Sequence, residues 1–150
     1  MNPPLRSKED QAALIEAIQD GTIEIICTDQ APHSLEEKDT TMDKASMGIV
    51  SIEYSFLLIY TYLVMKKVIS LEKAIELMSY NAADIFGVNG GEIVNFEKAN
   101  LALFDLNRPN RVDVKKFYSK GKSTPFENWR LQGECVMKIV DGEIVYRNNI

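Results

Sequence analysis

The spacing of apolar residues changes along this chain, and each change marks an element. Pro3 and Pro4 lack amide protons and hold the residues before them extended, so Met1–Arg6 enters as a loop. Ser7 then has the chemistry of a helix N-cap, with Asp10 three residues on as an approximate capping box. Leu14, Ile15 and Ile18 make one apolar face, and Gly21 stands just past the end, which predicts a helix over Lys8–Asp20. Thr22–Thr28 (TIEIICT) is β-branched and nearly continuously apolar, the pattern of a strand buried in a parallel sheet. The charged stretch Gln30–Ser46 reads as a loop, and loops of more than ~12 residues are often functional. Ile49–Met65 is apolar on almost every side and predicts a helix buried between neighbours. Ser70 caps a further short helix through about Met78, and Asn81–Phe86 adds a turn that stops at Gly87.

Beyond Gly87 the period shortens. Leu101–Leu106 predicts a short strand, ended where Pro109 enters. Glu134–Val140 and Glu143–Arg147 flank Asp141-Gly142, a strong hairpin signal because the turn needs positive φ at both central positions. The expected class is α/β, with residues 1–87 as helix, strand and helices and residues 88–150 as a β-rich part.

Composition narrows the chemistry. The 150 residues are 45% apolar and 26% charged, an ordinary globular balance. A net charge of −5 argues against a general nucleic-acid binder, which needs excess positive charge to displace counterions from phosphates. The longest apolar stretch, Tyr54–Met65, falls short of the ~20 residues of a membrane span. Met1–Asp10 carries two prolines and four charges, unlike a signal peptide, so the expected location is the cytoplasm, with both cysteines as free thiols. There is one histidine, and Cys27 and Cys135 lie far apart, so a closed His/Cys zinc site is excluded within the chain. Any metal chemistry must borrow ligands from elsewhere.

Three segments can carry chemistry. In Thr28–His33 (TDQAPH), Asp29 stands where the strand runs out into the long loop, and in parallel α/β folds that end is where active sites form. A carboxylate there can bind a metal or act as a general base, and it equally suits a turn. Pro32 stiffens the path to His33, which can donate a hydrogen bond to an anionic ligand. In MNPPLR, two prolines would hold Asn2 and Arg6 on a stiff loop, which also reads as a plain helix entry. Met47-Gly48 lets backbone approach a ligand, or simply turns the chain before the buried helix. Cys27 reads as a small buried apolar residue; Tyr54, Phe56, Tyr60 and Tyr62 as packing; Lys115-Lys116 and Lys120-Lys122 as a solvated face.

Taken in order, MNPPLR (1–6), DGTIEIICTDQAPHSLEEK (20–38), MGIVSIE (47–53), NAADIFG (81–87), ANLALFDLN (99–107), TPFENW (124–129) and VDGEIVY (140–146) resemble the C-terminal portion of class I dihydroorotases. The resemblance implies part of a (β/α)8 TIM barrel, namely strand eight with its flanking helices over 1–87, and the C-terminal portion of a β-sandwich over 88–150. It implies zinc-dependent, reversible hydrolysis of the cyclic amide of dihydroorotate to N-carbamoyl-aspartate. Asp29 would end the eighth strand, ligate one of two zinc ions (Zn²⁺) and act as general base. Asn2 and His33 would hold the ring and carboxylate of the substrate, and the Met47-Gly48 backbone would meet the pyrimidine edge. Gln30 departs from the family's T-D-H-A-P-H and cannot titrate as His does. The family's other metal ligands precede the NPPLR loop, so a complete binuclear site is not expected here, and the sequence reads as a truncated form. A complementing N-terminal fragment would restore activity. Two other roles stay open: a non-catalytic dihydroorotase-like partner of aspartate transcarbamoylase, or a stand-alone module binding an anionic pyrimidine. A lone barrel strand leaves edges and a wet apolar helix, which predicts a partly disordered chain or a homo-oligomer.

Overall fold

The computed structural model describes residues 2–148. Met1, the first residue of the MNPPLR segment, lies outside them. Five short α-helices are followed by a three-stranded sheet.

Helix α1 covers Lys8–Asp20 as its capping signals predict. The Ser7 hydroxyl accepts from the Asp10 amide at 3.2 Å, the Asp10 carboxylate accepts from the Ser7 amide at 3.1 Å, and Gly21 closes the helix at φ 87°. These groups satisfy backbone donors that a helix end otherwise leaves orphaned. Helix α2, Leu35–Lys38, interrupts the predicted loop with a second capping box between Ser34 and Glu37.

The expected strand at Thr22–Thr28 is a correction. The segment is extended but joins no ladder among the described residues. Its few bonds run to helices: the Ile23 amide to the Ala17 carbonyl, the Ile26 amide to the Leu77 carbonyl at 2.9 Å, and Asn81 Nδ2 to the Glu24 carbonyl at 2.8 Å. The segment is also only half-buried, and Cys27 is exposed rather than buried, because no neighbouring strand covers that side.

The helix expected from Ile49 starts six residues later. Helix α3 is Ser55–Ile59 and widens into a π-helical stretch over Tyr60–Val64. Residues 49–53 are committed elsewhere: the Ile49 carbonyl to the Ala31 amide, the Val50 amide to the Ser123 carbonyl, and the Ser51 and Ile52 amides to the Gln30 side chain. Those bonds compete with helical ones. Helix α4, Leu71–Ile75, is capped by Ser70, continues as a π-helical stretch over Glu76–Tyr80 and ends in α5, Asn81–Phe86, before Gly87.

Strands β1 (Leu101–Arg111), β2 (Arg130–Val140) and β3 (Glu143–Arg147) form an antiparallel sheet in that order. The Asp141-Gly142 hairpin is as predicted, at φ 52° and 87°. Strand β1, however, runs on through Pro109. Asp105 faces Glu134 and Pro109 faces Gln132, so β1 carries extra residues in a bulge that removes the need for a Pro109 donor.

Two apolar clusters hold these pieces. One gathers Ile18, Ile69, Ala74 and Leu77 between α1 and the α3–α5 helices. The other joins Val50 and Leu57 to Val112, Phe117 and Leu131, fastening α3 to the sheet. Burying each large side chain contributes about 1.5–3 kcal/mol. The helix aromatics pack onto sheet-side partners: Phe56 lies 4.3 Å from Phe104 and Tyr62 lies 5.2 Å from Trp129, measured between ring centroids.

Candidate active site

Three loops meet beyond the end of the extended segment. They are residues 29–33, 46–53 and 117–123, and the chain brings them together through backbone groups rather than side-chain salt bridges.

Asp29 occupies the turn out of the extended segment at φ 43°, a left-handed conformation uncommon for a residue with a Cβ. Such placements cluster at functional sites, where the surrounding fold has to hold them. Its carboxylate is exposed, and among the described residues no donor engages it. Gln30 follows and turns inward. Its side-chain oxygen accepts from the amides of Ser51 at 2.9 Å and Ile52 at 3.1 Å. The amide carbonyl thus does a job for which a titrating group is not needed, since it only accepts.

His33 is 27% exposed at its side chain, and its Nε2–H donates to the Met47 carbonyl at 2.9 Å. Its Nδ1 faces Glu37 at 3.6 Å. The Glu37 carboxyl is held below the ordinary carboxylate range, chiefly by the Ser34 amide that donates to it at 2.8 Å, with the neighbouring imidazole adding to the effect. Gly48, at φ 140°, lies so close to Ala31 that a Cβ there would sit 2.6 Å from the Ala31 Cβ and carbonyl oxygen. Only glycine satisfies both the dihedral and the space. Gly121 is a second close approach, with no room for a Cβ between Pro32 and the His33 backbone. Glu53 braces the third loop by accepting from the amides of Tyr118 at 2.9 Å and Ser119 at 3.0 Å.

Of the residues singled out by sequence, His33, Met47 and Gly48 therefore form one contact cluster, and Asp29 precedes His33 by four residues, with no hydrogen bond to the cluster among the described residues. Asn2 is exposed, and among the described residues no hydrogen bond ties it to that cluster. Lys38, Glu53 and Gly121 were not singled out. Lys38 lies in a charged stretch that resembles any solvated surface, Glu53 is a lone charge within an apolar run, and Gly121 stands between lysines.

An open cleft of about 390 Å³ lies beside the cluster, lined by Ile26, Cys27, Thr28, Ile49, Tyr62 and Trp129 among others. It is strongly apolar, and Asp29 follows its last extended-segment residue without lining it. Cys135 is not a candidate nucleophile, since burial pushes its thiol up.

The sequence matches the amidohydrolase family over residues 2–145. The chain belongs to that family. Over 147 residues it is 46% identical to a dihydroorotase of Bacillus cytotoxicus and 47% identical to one of Bacillus cereus, in each case across 98% of this chain. It spans 34% of the length of those relatives. Its fold is shared with the D-hydantoinase (dihydropyrimidinase) of Thermus sp., at TM-score 0.89 and 28% identity, covering 98% of this chain and 33% of that one. The L-hydantoinase (dihydropyrimidinase) of Arthrobacter aurescens matches equally well, at TM-score 0.89 and 31% identity, over 97% of this chain and 33% of that one. The mixed helices and strands are thus shared with amidohydrolase-family structures.

Amidohydrolase membership implies a metal cofactor. The residues here do not suffice for one: among the described residues no group of three or more His, Cys, Asp or Glu side chains comes together. Asp29 offers one exposed carboxylate, with no hydrogen bond to it among the described residues. Among the described residues, no helix is long and apolar enough to cross a membrane.

Proposed function

We propose that this chain supplies the proton-transfer and ring-binding portion of a dihydroorotase. The observation that carries the reading is the exposed Asp29 carboxylate at positive φ, four residues before the His33 of the His33–Met47–Gly48 cluster, in a chain 46% identical to a dihydroorotase over 98% of its length. Residues 1–87 would belong to the amidohydrolase barrel, with Thr22–Thr28 as its eighth strand, and residues 88–150 to the β-sandwich. In the hydrolysis, water adds to the ring carbonyl, the C–N bond breaks and the ring nitrogen leaves as an amide. Asp29 takes the proton from the attacking water and returns it to that nitrogen. His33 and the Met47-Gly48 backbone hold the ring and its carboxylate, with Asn2 closing from the NPPLR loop.

The cofactor we assign is a pair of zinc ions, with Asp29 as one ligand. Since no group of three or more His, Cys, Asp or Glu side chains comes together among the described residues, the other ligands would come from polypeptide outside them. The same logic makes a complementing polypeptide the expected partner, and the unpaired extended segment favours assembly, including self-assembly.

The test is reconstitution. The chain is co-expressed with the preceding two thirds of a dihydroorotase relative and supplied with zinc, and hydrolysis of dihydroorotate is followed. Turnover that disappears in Asp29→Ala, with the complex still assembled, is the expected result. A zinc-loaded, verified complex without turnover defeats the reading. A pull-down with aspartate transcarbamoylase would then decide whether the chain is a non-catalytic partner.

A further inference from the structure

Lys38 ends helix α2 half-buried, and its ammonium donates to two carbonyls at once: Ser46 at 2.7 Å and Gly48 at 2.7 Å. The carbonyl between them, Met47, is taken by His33 at 2.9 Å. Three successive carbonyls are therefore captured by two side chains from the stretch 33–38. In a regular extended chain, neighbouring carbonyls point to opposite sides. Turning three of them toward one wall needs an irregular backbone, and Gly48 at φ 140° provides it. The consequence falls on the amides. Among the described residues no acceptor takes the Met47, Gly48 or Ile49 N–H, while the amides after these three are engaged, Val50 by Ser123 and Ser51 by Gln30. The base of the loop is closed as well, by the Ser46 amide donating to the Glu37 carbonyl at 3.1 Å.

We propose that Lys38 is a positioning residue: by clamping the Ser46 and Gly48 carbonyls it fixes the Met47–Gly48 peptide in the orientation that a cyclic amide ligand meets. The role rests on the dihydroorotase reading for the identity of the ligand, but not for the clamp itself. Lys38 touches neither the reacting atoms nor the ligand. Short charge-assisted bonds to the carbonyls on either side hold the flanking peptides, and with them the one between, more firmly than neutral ones would. A positioned peptide lowers the ordering cost of binding, so Lys38 acts on ligand capture and not on the proton transfer assigned to Asp29.

Two measurements decide it. The first uses the isotope-labelled full chain and nuclear magnetic relaxation. Lys38→Met keeps the stem and removes the donors, whereas Lys38→Arg keeps charge and donors. Backbone order parameters at Met47 and Gly48 should fall from about 0.85 to below about 0.6 in Lys38→Met and stay high in Lys38→Arg. The amides of the β1–β2 ladder should be unchanged in both. If Lys38→Met does not fold, Lys38→Gln takes its place, because its amide is too short to reach both carbonyls. The second uses the reconstituted complex. Lys38→Met should raise KM roughly tenfold with kcat within about twofold, and Lys38→Arg should recover most of the loss. Order parameters that do not move, ladder amides that loosen together with the loop, or a fall in kcat at constant KM would each overturn the clamp. A wild-type complex with no turnover would instead remove the dihydroorotase reading, and the relaxation data would still judge Lys38.

Discussion

Replacing Gly48 by alanine asks whether the three-loop cluster is as tightly built as its distances say. The new Cβ would sit 2.6 Å from both the Ala31 Cβ and the Ala31 carbonyl oxygen, and 3.2 Å from His33 Cδ2. Two of those neighbours belong to or adjoin the backbone and cannot swing aside. Alanine at φ 140° is itself strained, costing about 1–3 kcal/mol. Forcing the loops apart adds about 1–3 kcal/mol of overpacking. The sum, roughly 2–6 kcal/mol, is a large share of the ~5–15 kcal/mol by which a domain is stable. Opening the contact also breaks the bond from the Ala31 amide to the Ile49 carbonyl at 3.2 Å and the one from His33 to the Met47 carbonyl. Gly21→Ala is the control, since its φ of 87° is also left-handed but nothing lies within 4 Å of the added Cβ. It should cost only about 1–2 kcal/mol, the strain alone. Thermal unfolding by circular dichroism reads both. At ~2–4 °C per kcal/mol for a chain of this size, Gly48→Ala should lower Tm by roughly 4–24 °C and Gly21→Ala by roughly 2–8 °C. If the Gly48 variant melts no lower than the Gly21 variant, the close packing of residues 31, 33 and 48 is refuted.

Leu77 has no exposed surface, and its carbonyl holds the Ile26 amide. Leu77→Ala should destabilise by about 2–5 kcal/mol in urea titration, from the lost burial and the cavity left in the core, and a change under about 1 kcal/mol would contradict the assigned core. The carboxyls of Asp20 and Glu37 are both lowered by backbone amides, from ordinary values of 3.8 and 4.5. The unfolded chain therefore binds more protons in acid, so this stabilisation is complete above those ordinary values and is lost as pH falls through the lower folded ones. Melting points should hold level above about pH 5 and decline below it, and Glu37→Gln should blunt the decline; a flat profile down to about pH 3 would refute the assignment. Because Thr22–Thr28 has unpaired backbone and Cys27 is exposed, sedimentation of the chain alone should show self-association that the complementing polypeptide reverses, and a compact monomer with one cooperative melt would count against it.

The local features were legible in the sequence because neighbours along the chain make them. Ser7 and Asp10 cap α1 across three residues, Gly21 ends it, and Asp141-Gly142 turns the β2–β3 hairpin; each bond is closed within a few residues, so residue type and spacing suffice. The motif TDQAPH pointed to a candidate site for the same reason, since Asp29 and His33 are near in sequence. Tertiary structure decided the rest. Helix α3 starts at Ser55 and not at Ile49, because Gln30, Ala31 and Ser123 claim the backbone before it. Strand β1 passes Pro109, because a bulge opposite Glu134 and Gln132 absorbs a residue that a flat ladder rejects. Cys27 is exposed, because whether an apolar segment is buried depends on what lies beside it and not on its own composition. Lys38 reads as one charge in a charged loop until folding brings Ser46 and Gly48 within 2.7 Å of its ammonium. Side-chain chemistry is written in the sequence, but the partner of a long flexible side chain is fixed only when distant backbone arrives at its tip.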